Sequence, residues 1–234
     1  MEAKREIIIG VPVHNDLQSF KSMYKSLCES TWTDFTLLII ESESTDGCAE
    51  YCDYLSKDET ENDFRSIEVI HTKKEGPLKA YNKLFEIAKE RNCDLLLTQT
   101  DVIFPKLYIR DWLDEMNNIA CNEHLGAIIP YNGGKHSGVD YIKGFFWLGG
   151  WCTYLPYRTL ERIGGYDESF PNGYGVDIDY TKKLEQSGLD IAYIDYYVDH
   201  HMCNERQHDK DVNTEQMKKE SALYFRKKWK VGEF

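Results

Sequence analysis

At 234 residues, with 41% hydrophobic and 29% charged residues, the chain has the composition of an ordinary globular protein, not of a disordered or fibrous one. No apolar run approaches the ~20 residues that cross a bilayer, and the N-terminus runs into a short strand without a signal peptide's apolar core, which implies a cytoplasmic protein. A formal charge of -12 weighs against a dedicated nucleic-acid binder, and seven scattered cysteines imply reduced thiols, not a disulfide framework.

Residues 7–13 read as a first strand, closed by the polar His14-Asn15-Asp16. Apolar positions at Leu17, Phe20, Met23, Tyr24 and Leu27 then have a helical period over 17–30. Residues 35–40 form a second strand, and the polar loop 41–47 supplies Thr45 or Asp46 as a cap for a helix over 48–55. A charged connection over 56–65 leads to a third strand, 67–71. Gly76-Pro77 opens a helix over 78–91, and 94–98 is a fourth strand. This alternation with short connections predicts a parallel, doubly wound sheet through about residue 104.

The second half changes character. A helix is expected over 107–119, a strand over 126–130, and a Gly- and aromatic-rich stretch over 132–150. A short helix over 159–163, the turn Gly164-Gly165-Tyr166-Asp167, a helix over 177–187 and a strand over 190–198 follow. Asn213, with Gln216 in a capping-box position, starts a last helix to about Trp229. There is no internal repeat, so one domain with an elaborated second half is the expectation.

Four polar clusters fall at predicted strand ends: 12–16, 41–47, 73–76 and 99–101. In an open α/β sheet such ends share one rim, where ligands bind. Asp101 is the leading candidate, because the buried run Leu95-Leu96-Leu97 ends abruptly in Thr98-Gln99-Thr100-Asp101. Neither a Gly-x-Gly-x-x-Gly turn nor a Walker phosphate loop is present, which argues against a dinucleotide site and an ATPase.

Taken in order, Val11-Pro12-Val13-His14-Asn15, Ser44-Thr45-Asp46-Gly47, Gly76 with Ala80 and Asn82, Asp101, Gly164-Gly165-Tyr166-Asp167-Glu168-Ser169-Phe170 and Asp177-Ile178-Asp179 resemble the family 2 glycosyltransferases. The resemblance spans about residues 7–201. It implies an α/β, GT-A-type single domain with a doubly wound, mostly parallel central sheet, a smaller acceptor-side subregion and a C-terminal helix. Residues 1–104 would be the nucleotide-sugar half, 105–201 the acceptor half, and 202–234 a C-terminal loop and helix.

The resemblance also implies an activity: transfer of a sugar, with inversion, from a nucleoside-diphosphate sugar to a saccharide, lipid-linked or protein acceptor, assisted by Mn²⁺ or Mg²⁺. Pro12, Val13, Asn15 and Glu41 would hold the base and ribose, with Glu41 where the family commonly has aspartate. Lys74, Gly76, Gln99, Thr100 and Asp101 complete the donor site. The family's metal motif is Asp-x-Asp; here Gln99 replaces the first carboxylate, leaving Asp101 as a hard oxygen ligand. His200 or His201 would be the second metal ligand. A zinc site combining that pair with Cys203 and His208 is the rival arrangement, although the spacing matches no usual pattern. Asp177 aligns with the catalytic base, and Val176 replaces the glutamate before it.

Trp147 and Trp151 in the aromatic stretch, together with Asp167, are the acceptor-side candidates. Each of these residues also has a plainer role. Glu41 would be a solvated loop residue, Asp46 and Asp101 caps, Asp177 a helix-start carboxylate and the tryptophans core. Arg206, His208 and Lys210 are placed to close over a diphosphate. The basic, aromatic segment 226–230 would either contact an anionic membrane surface or be a solvated helix end. Two other classes stand beside the enzyme: an inactive scaffold that binds nucleotide sugars or glycans, suggested by Gln99 and Val176, and a nucleotidyltransferase, which would want a basic glycine-rich loop absent from 13–19.

Overall fold

The computed structural model describes residues 4–57, 65–106, 110–132, 148–200 and 214–231. Four parallel strands, β1 (Ile7–Val13), β2 (Phe35–Ser42), β3 (Arg65–Thr72) and β4 (Asp94–Thr98), alternate with the helices α1 (Leu17–Ser30), α2 (Cys48–Lys57) and α3 (Pro77–Glu90). After β4 the chain forms β5 (Val102–Ile103), α4 (Trp112–Ala120), β6 (Leu125–Asn132), β7 (Cys152–Leu155), α5 (Tyr157–Arg162), α6 (Val176–Ser187), β8 (Asp190–His200) and α7 (Thr214–Trp229). The sheet order is β3-β2-β1-β4-β7-β6-β8-β5. β7 runs antiparallel to β4 and β6, β8 is parallel to β6, and β5 is antiparallel to β8. The sheet is therefore mostly parallel, with reversals confined to its second half.

Alternation along the strands divides the core in two. Ile7, Ile9, Val11, Leu37, Ile39 and Leu96 face one layer with Phe20, Met23 and Trp112. Ile8, Leu38, Ile40, Leu95 and Leu97 face the other with Leu84, Phe85, Tyr180 and Leu184. Both strand faces are covered by helices, so β1, β2 and β4 read as nearly unbroken apolar runs.

Two expectations need correction. The helix expected from residue 107 begins at Trp112, because Asp111 is its N-cap and accepts hydrogen bonds from Leu113 N and Asp114 N. The strand β7 has no counterpart in the sequence reading. Its four residues are all buried, so they show no polar–apolar alternation to betray a strand. Asp94 secures it from the start of β4: its carboxylate accepts from Tyr154 OH (2.8 Å) and from Tyr157 N (2.7 Å). Asn213 and the residues Trp147, His201, Cys203, Arg206, His208 and Lys210 lie outside the described residues.

Candidate active site

The carboxyl ends of β1, β2 and β4 open onto a cleft of about 530 Å³. One wall consists of Pro12, Val13 and His14 from β1, Ser42 from β2, and Gln99 and Thr100 after β4. Lys74, Gly76, Pro77, Leu78, Ala80 and Tyr81 form the floor at the start of α3. The opposite wall is Gly150, Tyr166 and the segment from Gly173 to Asp177. Of the sequence candidates, Pro12, Val13, Lys74, Gly76, Gln99, Thr100 and Asp177 thus share one cavity.

The first wall is tied together by hydrogen bonds between neighbouring strand ends. Asn15 adopts a left-handed backbone (φ +48°), and its N–H donates to Ser44 Oγ (3.1 Å). Its Oδ1 accepts from Thr45 N (2.7 Å), which turns its amide nitrogen toward His14 Nε2 (3.4 Å). His14 Nδ1 donates to Ser42 O (2.6 Å), so the imidazole is held at the cleft edge with its proton on Nδ1. Asn15 therefore braces the wall and does not itself line it. Asp46 accepts from Leu17 N (2.8 Å) and Cys48 N (3.1 Å), capping α1 and α2 with one carboxylate.

Glu41 is not a solvated loop residue. It is 2% exposed, sits outside the cleft lining, and accepts from Ser44 N (2.7 Å) and His71 Nδ1 (2.8 Å). Burial would raise its pKa, but the hydrogen bonds from Ser44 and His71 hold it below the usual glutamate value. His71 in turn reaches Asp53 (2.9 Å), and the two carboxylates, Glu41 foremost, raise its pKa.

Asp101 is buried, and its Oδ1 lies 3.6 Å from His200 Nε2. The β5–β8 ladder brings them together by pairing Val102 with His200. A hard carboxylate oxygen beside an imidazole nitrogen fits a Mn²⁺ ion, and fits Mg²⁺ less well. Among the described residues no group of three or more His, Cys, Asp or Glu could hold a metal, so a bound ion would take its remaining ligands from substrate and water. Gln99, standing where the family motif has its first carboxylate, donates from Nε2 to Gly150 O (3.2 Å) and ties the two walls together. Thr100 Oγ1 donates to Asp16 (2.5 Å).

Trp151, expected at the acceptor, is 8% exposed within the core and stacks on the His200 ring (5.9 Å between centroids, 23°). It supports the candidate metal ligand from behind, because β7 starts immediately after it and draws the indole into the sheet layer. Asp167 is likewise outside the cleft lining. Its oxygens accept from Ser169 N (2.9 Å), Tyr224 OH (3.1 Å) and Lys228 Nζ (2.7 Å). Burial works against its charged form, yet Lys228 and the other donors pull its pKa down to about 2.

Asp177 is half-buried in the first turn of α6, facing Gly150. Its surroundings desolvate the carboxylate and push its pKa up to about 6, although Ile178 N donates to Oδ1 (2.9 Å). Gly175, at φ +76°, is the N-cap of α6, a left-handed conformation that favours glycine. Upstream, Gly165 lies so close to α3 that an added Cβ would meet Asn82 Oδ1 at 2.3 Å. The Asn82 amide takes up that approach by accepting from Tyr166 N (2.7 Å) and donating to Tyr166 O (3.0 Å).

Sequence reasoning missed Tyr81, Tyr166 and Tyr174 as cleft residues, whereas His14 and Ser42 lie in the clusters 12–16 and 41–47 that it placed at the ligand rim. His14 and Ser42 carried the strand-end signal. Tyr174, 37% exposed, carried only its place between two glycines ahead of Asp177.

A model of glycosyl transferase family 2 matches residues 8–162. An uncharacterized glycosyltransferase, YibD, from Escherichia coli K12 is 23% identical over 108 residues; the match covers 46% of this chain and 30% of that protein. Among solved structures, the mannosyltransferase PcManGT from Pyrobaculum calidifontis, in complex with GDP-Man and Mn²⁺, is similar with a TM-score of 0.70 at 16% identity. That likeness covers 99% of this chain and 66% of the other. Glucosyl-3-phosphoglycerate synthase from Mycobacterium tuberculosis, with Mn²⁺, UDP and glucosyl-3-phosphoglycerate, has a TM-score of 0.65 at 14% identity, covering 98% and 81%. S. aureus TarS 1-349 in complex with UDP has a TM-score of 0.63 at 12% identity, covering 97% and 72%. These likenesses establish the GT-A fold. No helix among the described residues is long and apolar enough to cross a membrane.

Proposed function

The chain belongs to glycosyl transferase family 2, and we propose that it moves one sugar from a nucleoside-diphosphate sugar to an acceptor hydroxyl, inverting the anomeric carbon. The observation that carries this reading is a cleft in which the β1, β2 and β4 strand ends face Asp177. The nucleotide lies along the wall of Pro12, Val13 and His14, with its diphosphate toward Thr100 and Lys74. Asp101 and His200 would hold a divalent ion, which when bound would supply Lewis-acid stabilisation of charge on the departing diphosphate. Asp177 removes the acceptor hydroxyl's proton as the new carbon–oxygen bond forms on the face opposite the breaking one. A base with a pKa near 6 is ionised at neutral pH and retains useful basicity. The acceptor enters beside Tyr174, whose exposed ring offers a flat apolar face to a sugar.

The test is a donor screen. The protein is incubated with Mn²⁺ and GDP-mannose, UDP-glucose or UDP-N-acetylglucosamine, and released nucleoside diphosphate is measured together with thermal shift. Release and stabilisation by one donor, both lost in Asp101→Ala, support the reading. Stabilisation without release on any acceptor, including water, favours the inactive scaffold that Gln99 and Val176 suggest.

A further inference from the structure

α7 touches the acceptor-side wall from behind without lining the cleft. Ser221 Oγ donates to Pro171 O (2.9 Å), and Tyr224 packs edge-on against Phe170 (4.7 Å) while its hydroxyl donates to Asp167. Lys228 Nζ lies 2.7 Å from Asp167 Oδ2 and 2.7 Å from Asp179 Oδ1. Trp229 Nε1 also donates to Asp179 Oδ1 (2.8 Å). Asp179 is 1% exposed and shares the first turn of α6 with Asp177. Lys183 approaches Asp179 (3.6 Å) from within α6 and donates to Gly165 O (3.0 Å). One ammonium group on α7 therefore joins the two ends of the segment that carries Tyr174: the turn at Asp167 before it and the helix start at Asp179 after it.

We propose that Lys228 is a positioning residue for sugar transfer: by clamping Asp167 to Asp179 it fixes the first turn of α6, and with it Asp177, against the acceptor hydroxyl. The proposal rests on the reading of Asp177 as the base. A carboxylate as buried as Asp179 keeps its place through paired cations and donors, and removing one partner leaves charge that the surroundings relieve by moving. Asp177 lies two residues before Asp179 in the same helical turn, so a shift of Asp179 carries over to it. A displacement of about 1 Å at a reacting group costs on the order of 100-fold in rate. The clamp residues lie outside the cleft lining and away from the Asp101–His200 pair, so the proposal expects donor binding to survive their replacement.

The experiment compares wild type, Lys228→Met, Lys228→Arg and Asp177→Asn. The donor selected from GDP-mannose, UDP-glucose and UDP-N-acetylglucosamine is used with Mn²⁺, and kcat for nucleoside diphosphate release, donor KM and donor-induced thermal shift are read. Lys228→Met should lose kcat by about 10- to 100-fold with donor KM and thermal shift unchanged, and Lys228→Arg should recover most of the loss. A Lys228→Met kcat within about twofold of wild type overturns the proposal, as does a parallel loss of donor binding, which would mark general collapse of the wall. Should Lys228→Met fail to fold, Tyr224→Phe carries the same test: a fall in kcat at constant donor KM supports the clamp, and an unchanged kcat overturns it. Asp177→Asn separates the two levels. If it retains turnover, the base assignment itself fails, whatever Lys228 does.

Discussion

The two walls of the cleft are built in opposite ways. The donor-side wall assembles from strand ends that are already neighbours in the sheet, and its polar groups bond across adjacent strands: His14 to Ser42, Asn15 to Thr45, Glu41 to His71. The acceptor-side wall, from Gly164 to Asp177, pairs with no strand. It is held by Asn82 on α3 and by Tyr224 and Lys228 on α7. A wall made by the sheet is as rigid as the sheet, whereas a wall made by remote contacts can be perturbed from a distance. Damage to the first should appear in donor binding, and damage to the second in turnover.

The sharpest test of that division pairs Asp177, in the acceptor-side wall, with Asp101, buried next to Thr100 of the donor-side wall. Asp177→Asn should lower kcat by roughly 10³-fold or more while donor-induced thermal shift persists. Asp101→Ala should instead remove the Mn²⁺-dependent part of the donor shift and cost on the order of 100-fold in kcat/KM. Were Asp177→Asn to abolish donor binding, the walls would not be separable. In wild type, kcat/KM should fall about tenfold per pH unit below pH 6, as Asp177 takes up its proton. The linked effect on stability has a definite sign. A carboxyl whose folded pKa is raised from about 3.9 costs stability as pH rises from there to about 6. Asp177→Asn should therefore melt higher than wild type at neutral pH, by an amount on the order of 1 kcal/mol once partial solvent access is allowed for.

Asn82 is the joint between the walls. Asn82→Ala removes a two-way bond to Tyr166 and leaves backbone groups of a half-buried turn unpaired. We expect about 1–3 kcal/mol of destabilisation by chemical denaturation, with kcat affected more than donor KM. A larger effect on donor KM would place this turn on the donor side.

The contrast also explains which parts were legible in the sequence. Strand ends announce themselves, because an apolar run must stop where the sheet meets solvent; Leu97-Thr98-Gln99-Thr100-Asp101 shows it, and Gln99 and Thr100 of that stretch line the cleft while Asp101 is buried next to them. The strand read over 190–198 runs on to His200, whereas the choice between His200 and His201 was open in the sequence, and the neighbour of His200, Asp101, lies 99 residues away along the chain. Trp151 and Asp167 were misplaced because residue type alone does not show which way a side chain turns. An antiparallel strand draws Trp151 inward, and an ion pair with Lys228, 61 residues further along, occupies Asp167. Neither constraint has a local signature. Residues whose surroundings are sequence neighbours can be read from pattern, whereas those whose surroundings come from a distant helix cannot.

The smallest expected effect lies deepest in the donor-side wall. Glu41 has its folded pKa depressed, so its contribution is present above about pH 4.3 and fades as pH falls through the folded value. His71 has its folded pKa raised, so its contribution is complete below about pH 6.5 and fades as pH rises through the folded value. The two windows overlap between roughly pH 4.5 and 6.5, where the contact is a charge-assisted hydrogen bond. Thermal melts of wild type and His71→Asn should therefore differ most near pH 5.5 and converge as pH rises through the raised folded value of His71. The gap should stay below about 1 kcal/mol, because the imidazole is half exposed and screened by solvent. A gap that stays constant through that rise would mean the imidazole is not ionised in the fold. Glu41 would then keep its bond from Ser44 N and at most a neutral hydrogen bond from His71 Nδ1, and the donor-side wall would be less firmly braced than an ion pair implies.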